Sequence, residues 1–130
     1  VVELSLLNKH QELQTTLLIL PSALSEFEYF NDFLGFADSL LEEMKLDGVF
    51  QFASFHPEYR FAGTSEDDAE NFTNRAPYPM LHILRESSLD WAVDEHPDTD
   101  QIPLDNIALM NKLGVDHMRK MLLECSKADD

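Results

Sequence analysis

The chain has 130 residues, of which 44% are apolar, so one domain with an ordinary core is expected over residues 1–130. Its 25 acidic and 9 basic residues give a formal net charge of −16, which disfavours nucleic acid and anionic membrane surfaces as partners. The single cysteine, Cys125, excludes an internal disulfide, and neither a signal peptide nor an apolar run long enough to span a bilayer is visible. These features predict a cytoplasmic protein. Its acidity is typical of a highly soluble chain, with a basic protein partner as the alternative.

Two apolar segments predict strands. Residues 15–20 (TTLLIL) are apolar and β-branched, as in a central strand buried on both faces, and residues 49–56 (VFQFASFH) predict the second strand. The intervening helix favours a right-handed crossover between parallel strands. A third strand must come from residues 1–7, from a preceding segment or from another subunit of a homo-oligomer. The predicted fold is therefore α+β, a two-layer domain whose small sheet has at least two parallel strands covered by helices.

The intervening helix is predicted over residues 26–46. Apolar residues recur there at steps of three and four, which is the pattern of an amphipathic helix. Ser25 and Glu28 have the spacing of a capping box, and Asp47-Gly48 provides a stop because glycine tolerates the left-handed conformation. We expect Leu34 to be among the residues that pack on the sheet.

The second half of the chain begins with a long segment rich in turn-forming residues. Residues 57–79 predict an ordered loop, since Phe61, Phe72 and Tyr78 can pack it against the domain. Pro79 is suited to the first turn of a helix that continues to about Val93. Two further helices are predicted. One begins at Pro103 and ends near Gly114, and the other is capped by Asp116 and carries Met118 and Cys125 on its apolar side.

Basic and polar side chains suited to catalysis or anion binding are concentrated between positions 56 and 85. His56 ends a predicted strand, and His82 and Arg85 would share one face of the predicted helix near its N-terminus, where an anion is favoured. We expect these groups to converge on one polar pocket, with the histidines as general acid or base. The residues expected to bind a small anionic metabolite are Arg60, Asn74, Arg75, Tyr78 and Arg85.

Two other interpretations of this segment stay open. In the first, the domain is a non-catalytic interaction module, the 57–79 loop is a structural brace or partner surface, and the arginines are paired internally. In the second, His56 and His82 bind a metal with Glu58 or Asp68, although the sequence lacks HxH or HExxH spacing and the nearby arginines would repel a cation. We expect no metal there, and the sequence identifies no cofactor.

The same segment carries a family resemblance. The stretch ASFHPEYRFAGTSEDDAENFTNRAPYPMLHILRES, together with TTLLILPSALSEFEYFNDFLGFADSLLEEMKLDG upstream and IPLDNIALMNKLG downstream, resembles an uncharacterised bacterial family, the domain of unknown function 1415 family. The resemblance implies no known activity. It also implies a preceding segment that this chain lacks, which favours residues 1–9 as the end of a helix.

Overall fold

The computed structural model describes residues 1–127, and its centre is a three-stranded antiparallel sheet. Strand β1 spans Thr15–Ile19, β2 spans Phe50–Phe55 and β3 spans Met80–Arg85. The strand order is β1-β3-β2, with Leu17 and Ala53 both aligned with His82. Strand β1 is an edge strand whose odd-numbered residues are exposed, so the prediction of a central strand buried on both faces is wrong. The chain is thus an α+β fold.

The prediction of parallel neighbouring strands is wrong. Residues 80–85, predicted as the start of a helix, form β3 instead, and this strand lies between β1 and β2 and pairs antiparallel with both. Burial alternates along MLHILR, with Leu81, Ile83 and Arg85 buried and the residues between them half-buried. That period of two is the pattern of a strand.

One face of the sheet is covered by two helices, and we call it the inner face. Helix α1 spans Val2–Lys9, which confirms the helical interpretation of the N-terminus, and α2 spans Phe27–Glu43. Their apolar sides pack on the sheet, where burial of large side chains provides the main stabilisation. The buried residues of this core are Leu4, Leu7, Leu41, Leu46, Phe50 and Ile83. Leu34 is half-buried.

Helix α2 ends earlier than predicted. Its C-terminus is a Schellman motif, in which Leu46 N–H donates to Leu41 O at 2.9 Å and Lys45 N–H donates to Glu42 O at 3.0 Å. Lys45, rather than Gly48, occupies the left-handed position after the helix, with φ of 57°. At the other end the N-cap is Glu26 without a side-chain hydrogen bond, so the predicted Ser25 capping box does not form.

The remainder of the chain lies beside the sheet. The 57–79 loop contains a 3₁₀ helix, Ala69–Asn74, and three helices follow β3. They are α3 (Glu86–Glu95), α4 (Gln101–Leu113) and α5 (Val115–Cys125). Cys125 is exposed rather than part of the core, because α5 buries only Met118. No helix among residues 1–127 is long and apolar enough to cross a membrane.

Candidate functional site

His56 is fully buried beneath the N-terminal turn of α2. Its ring lies 5.3 Å from the ring of Phe27 and 5.1 Å from that of Phe30, measured between centroids. Nδ1 accepts a hydrogen bond from Glu58 N–H at 3.0 Å, so the ring proton belongs on Nε2, which donates to Leu24 O at 3.0 Å. Both ring nitrogens therefore have main-chain partners, and neither is free for a ligand.

The hydrogen bond from His56 reaches a strained residue. Leu24 has φ of 56°, in the left-handed region that side chains other than glycine rarely adopt. Such a conformation persists only where surrounding contacts hold it. By binding the carbonyl of Leu24, His56 fixes the turn that leads from β1 into α2.

Two asparagines hold the 57–79 loop in place. Asn71 is fully buried, and its Oδ1 accepts from Phe61 N–H and from the Thr64 hydroxyl, both at 2.9 Å, while its Nδ2 donates to Ser65 O at 2.8 Å. Asn74 joins the loop to the edge of β2, because its Nδ2 donates to Ser54 O at 3.1 Å. Each amide completes hydrogen bonds that the irregular backbone cannot make with itself.

Arg85 is buried on the inner face of β3, with 6% of its surface exposed. Its guanidinium donates to main-chain carbonyls in the last turn of α1 and just after it: Nε to Leu13 O at 2.9 Å, and Nη2 to Leu7 O, to His10 O and to Leu13 O. Its Cζ also lies 5.2 Å from the centroid of the Phe50 ring. The negative end of the α1 dipole provides the countercharge, so Arg85 is a structural clamp.

Arg60 and Arg75 also bind the loop backbone. Arg60 Nε donates to Thr64 O at 3.0 Å, and Arg75 donates from Nε to Tyr59 O at 3.0 Å and from Nη2 to Glu66 O at 2.9 Å. Burial lowers the pKa of the Arg75 guanidinium, while the Glu66 carboxylate acts in the opposite direction. Arg75 also lines a cleft.

The cleft beside Arg75 has a volume of about 290 Å³ and lies between the loop and α5. A second guanidinium, that of Arg119, lines it, and this residue was not identified from the sequence. Arg119 also forms ion pairs with Asp67 and with Asp116, the latter at 3.8 Å. Nothing in the sequence spacing connects positions 75 and 119, so only the packing of α5 against the loop reveals the pair.

His82 lies on the opposite face of the sheet from His56, and we call this the outer face. It is half-buried and aligned with Leu17 and Ala53, whereas Arg85, three residues away on the same strand, points to the inner face. Tyr78 is exposed at 41% before β3 begins. The expected convergence of His56, His82 and Arg85 on one pocket is therefore wrong, because residues 82–85 form a strand rather than a helix.

The residues considered for a metal site are not brought together either. His56 and His82 are separated by the sheet. Within residues 1–127, no group of three histidine, cysteine, aspartate or glutamate side chains has an arrangement that could hold a metal ion. The ligand set of two histidines with Glu58 or Asp68 is not assembled.

The fold and these contacts define an α+β domain in which three helices follow a small antiparallel sheet and a polar loop is tied down by buried side chains. Residues 1–120 match the model of the family described as protein of unknown function (DUF1415), and the chain belongs to that family. No curated protein and no solved structure matches the chain.

Proposed function

We propose that this domain is a non-catalytic interaction module in which the 57–79 loop is a structural brace. The observation that carries the proposal is that His56 and the three arginines between positions 56 and 85 are engaged by the main chain. His56 has a partner at each ring nitrogen, and Arg60, Arg75 and Arg85 donate to backbone carbonyls. A histidine that acts as general acid or base needs a ring nitrogen that can reach the substrate, which His56 does not offer. The lone, exposed Cys125 supports a reducing, cytoplasmic location.

Helices α3 and α4 provide the interaction surface. Neither helix contains a buried residue, and Trp91, Val93 and Ile102 are exposed at 65%, 54% and 50%. Between the two helices lies a concave apolar pocket of about 220 Å³. Its lining residues are Leu89, Ala92, Val93, His96, Thr99 and Ile102. Exposed apolar clusters of this kind are typical of protein interfaces.

The charge around this pocket identifies the kind of partner. Between Glu86 and Asn111 the chain has seven acidic residues and no lysine or arginine. An apolar pocket on a segment with this excess of acidic residues favours a partner with basic residues flanking an apolar anchor, because complementary charge steers association and fixes orientation. The proposed partner is therefore a basic, amphipathic protein segment.

An amphipathic helical peptide of lysine and leucine tests this surface, with a counterpart in which glutamate replaces lysine. Fluorescence anisotropy of a dye-labelled peptide measures its binding. We expect the basic peptide to bind more tightly than its acidic counterpart, and Ile102→Asp to weaken binding by roughly tenfold or more. Phe36→Asp, which adds the same charge at a site that is 76% exposed on α2, is the matched control. Equal weakening by both variants would contradict the proposal, because it would indicate attraction without a defined site.

A small anion is the second candidate ligand, now at the cleft between the loop and α5. Two guanidinium groups, Arg75 and Arg119, line this cleft, and arginine is well suited to phosphate and carboxylate. Arg75 uses Nε and one Nη2 proton on the backbone, which leaves Nη1 free to donate. Of the residues first expected to bind an anionic metabolite, this second candidate site retains Arg75, and it does not involve His56 or His82.

A further inference from the structure

Strand β1 is an edge of the sheet whose free side faces away from β3. In an antiparallel pair, successive residues direct their main-chain N–H and C=O groups alternately towards and away from the partner strand. Because Leu20 N–H donates to Pro79 O at 2.9 Å, the even-numbered residues of β1 direct these groups to β3. The odd-numbered residues Thr15, Leu17 and Ile19 therefore direct theirs to the free side. No element among residues 1–127 pairs with that side.

The other edge of the sheet, on β2, is protected. Phe50 N–H donates to Leu46 O at 3.1 Å, and Ser54 O accepts from the Asn74 side chain at 3.1 Å. His56 N–H continues this pattern by donating to Asn74 O at 3.1 Å. Main-chain groups of β2 are thus occupied at both ends of the strand by the segments that flank it.

The edge of β1 lacks the features that usually prevent strand pairing. Its sequence, TTLLI, contains no charge, proline or glycine. Natural edge strands are commonly guarded by lysine, proline or a bulge, and an unguarded, β-branched edge is a template for another strand. On the outer face, Leu17 and Ile19 are each exposed at 48%, so apolar surface lies beside the unpaired backbone.

We infer that β1 pairs with β1 of a second copy of this chain, antiparallel about a twofold axis at Leu17, to form a continuous six-stranded sheet. In this register Leu17 faces Leu17 of the second copy, and Thr15 faces Ile19. These are the residues whose main-chain groups point outward, so each pair exchanges both hydrogen bonds. On the outer face the pairs are apolar or β-branched, which favours cross-strand contact. The segment is therefore complementary to itself, as a twofold interface requires.

Charge favours this edge over others for self-association. Two copies of a chain with a net charge of −16 repel each other, so a stable contact must bring few acids together. Between positions 12 and 22 the only charged residue is Glu12, and in the twofold register it faces Ser22 of the second copy. The residual repulsion comes from the rest of the surface, which salt screens. Dimerisation should therefore strengthen as the salt concentration rises.

Sedimentation velocity of the whole chain tests the dimer. We expect the wild type to reach twice the 14.9 kDa mass of the chain, with a dissociation constant that falls as salt is added. Leu17→Lys should raise that constant by roughly tenfold or more, because it removes apolar contact and places two like charges opposite each other. Gln51→Lys adds the same charge on the outer face of β2 and should leave the mass unchanged. A wild type that stays monomeric at high protein and high salt concentration overturns the inference.

Cross-linking tests the register independently of stability. In a Cys125→Ser background, Leu17→Cys places two thiols on the twofold axis, where hydrogen-bonded strand residues have Cα atoms about 5.5 Å apart, within the range for a disulfide. We expect this variant to form a covalent dimer under mild oxidation, and Gln51→Cys to remain uncross-linked. Equal cross-linking of the two variants overturns the β1 interface.

The dimer does not depend on the proposed partner surface on α3 and α4, so an experiment can contradict either proposal without contradicting the other. Binding of a basic peptide should weaken with salt, whereas the dimer should strengthen. Ile102→Asp should change peptide binding without changing the mass, and Leu17→Lys should do the reverse.

Discussion

The guanidinium of Arg85 donates through both Nε and Nη2 to the carbonyl oxygen of Leu13, at 2.9 and 2.7 Å. The two residues lie in different parts of the chain, one at the end of β3 and the other in the turn between α1 and β1. Through this contact the buried cation ties the N-terminal helix to the central strand. A buried charge that is removed from water requires such a set of acceptors.

We predict that Arg85→Met destabilises the domain by at least about 3 kcal/mol, since a hydrogen bond from a charged group contributes about 1.5–3 kcal/mol and several are lost. Urea denaturation followed by circular dichroism measures this change. Arg60→Met is the control, because that exposed residue makes one backbone hydrogen bond and should change stability by less than about 1 kcal/mol. A similar loss in both variants would refute the clamp.

His56→Phe should destabilise the domain by about 1–3 kcal/mol, because the ring still packs on Phe27 and Phe30 but the Glu58 N–H and Leu24 O lose their partner. Nitrogen NMR of the imidazole should show the proton on Nε2, the tautomer set by the hydrogen bond from Glu58. Binding of the basic peptide to α3 and α4 should be unchanged. A His56→Phe protein that is as stable as the wild type would show that the ring is not structural.

Asn71→Asp should loosen the 57–79 loop. The change replaces the Nδ2 donor with an oxygen that faces the Ser65 carbonyl at about the distance of the lost hydrogen bond, so an attraction becomes a repulsion inside a buried site. We expect faster cleavage of this loop in limited proteolysis and a loss of about 2–4 kcal/mol in stability. Asn106→Asp makes the same chemical change at an exposed position of α4 and should have neither effect.

Inorganic phosphate tests the cleft beside Arg75. If the cleft binds an anion, phosphate should raise the melting temperature of the wild type more than chloride does at equal ionic strength. Arg119→Ala should abolish that difference, whereas Lys120→Ala, which removes a neighbouring charge on α5, should retain it. The same rise in both variants would mean that phosphate acts without this cleft.

Local patterns predict several features of this protein correctly. The amphipathic spacing of α2 and the β-branched run of β1 predict their element types, because those signals arise within a single segment. The sequence pattern predicts the start of a helix at MLHILR, although a short apolar run is equally consistent with a strand. Only pairing with β1 and β2 selects between the two, and this choice decides whether His82 and Arg85 share a face.

The sequence by itself determined the acidity, the element types of the N-terminal half and membership in an uncharacterised family. The tertiary structure decided the strand order and the long-range partners of His56 and Arg85. The reason is that the role of a buried arginine or histidine depends on which groups accept or donate its hydrogen bonds. Arg85 finds its acceptors near Leu13, and His56 finds one at Leu24, both far away along the chain and brought close only by folding.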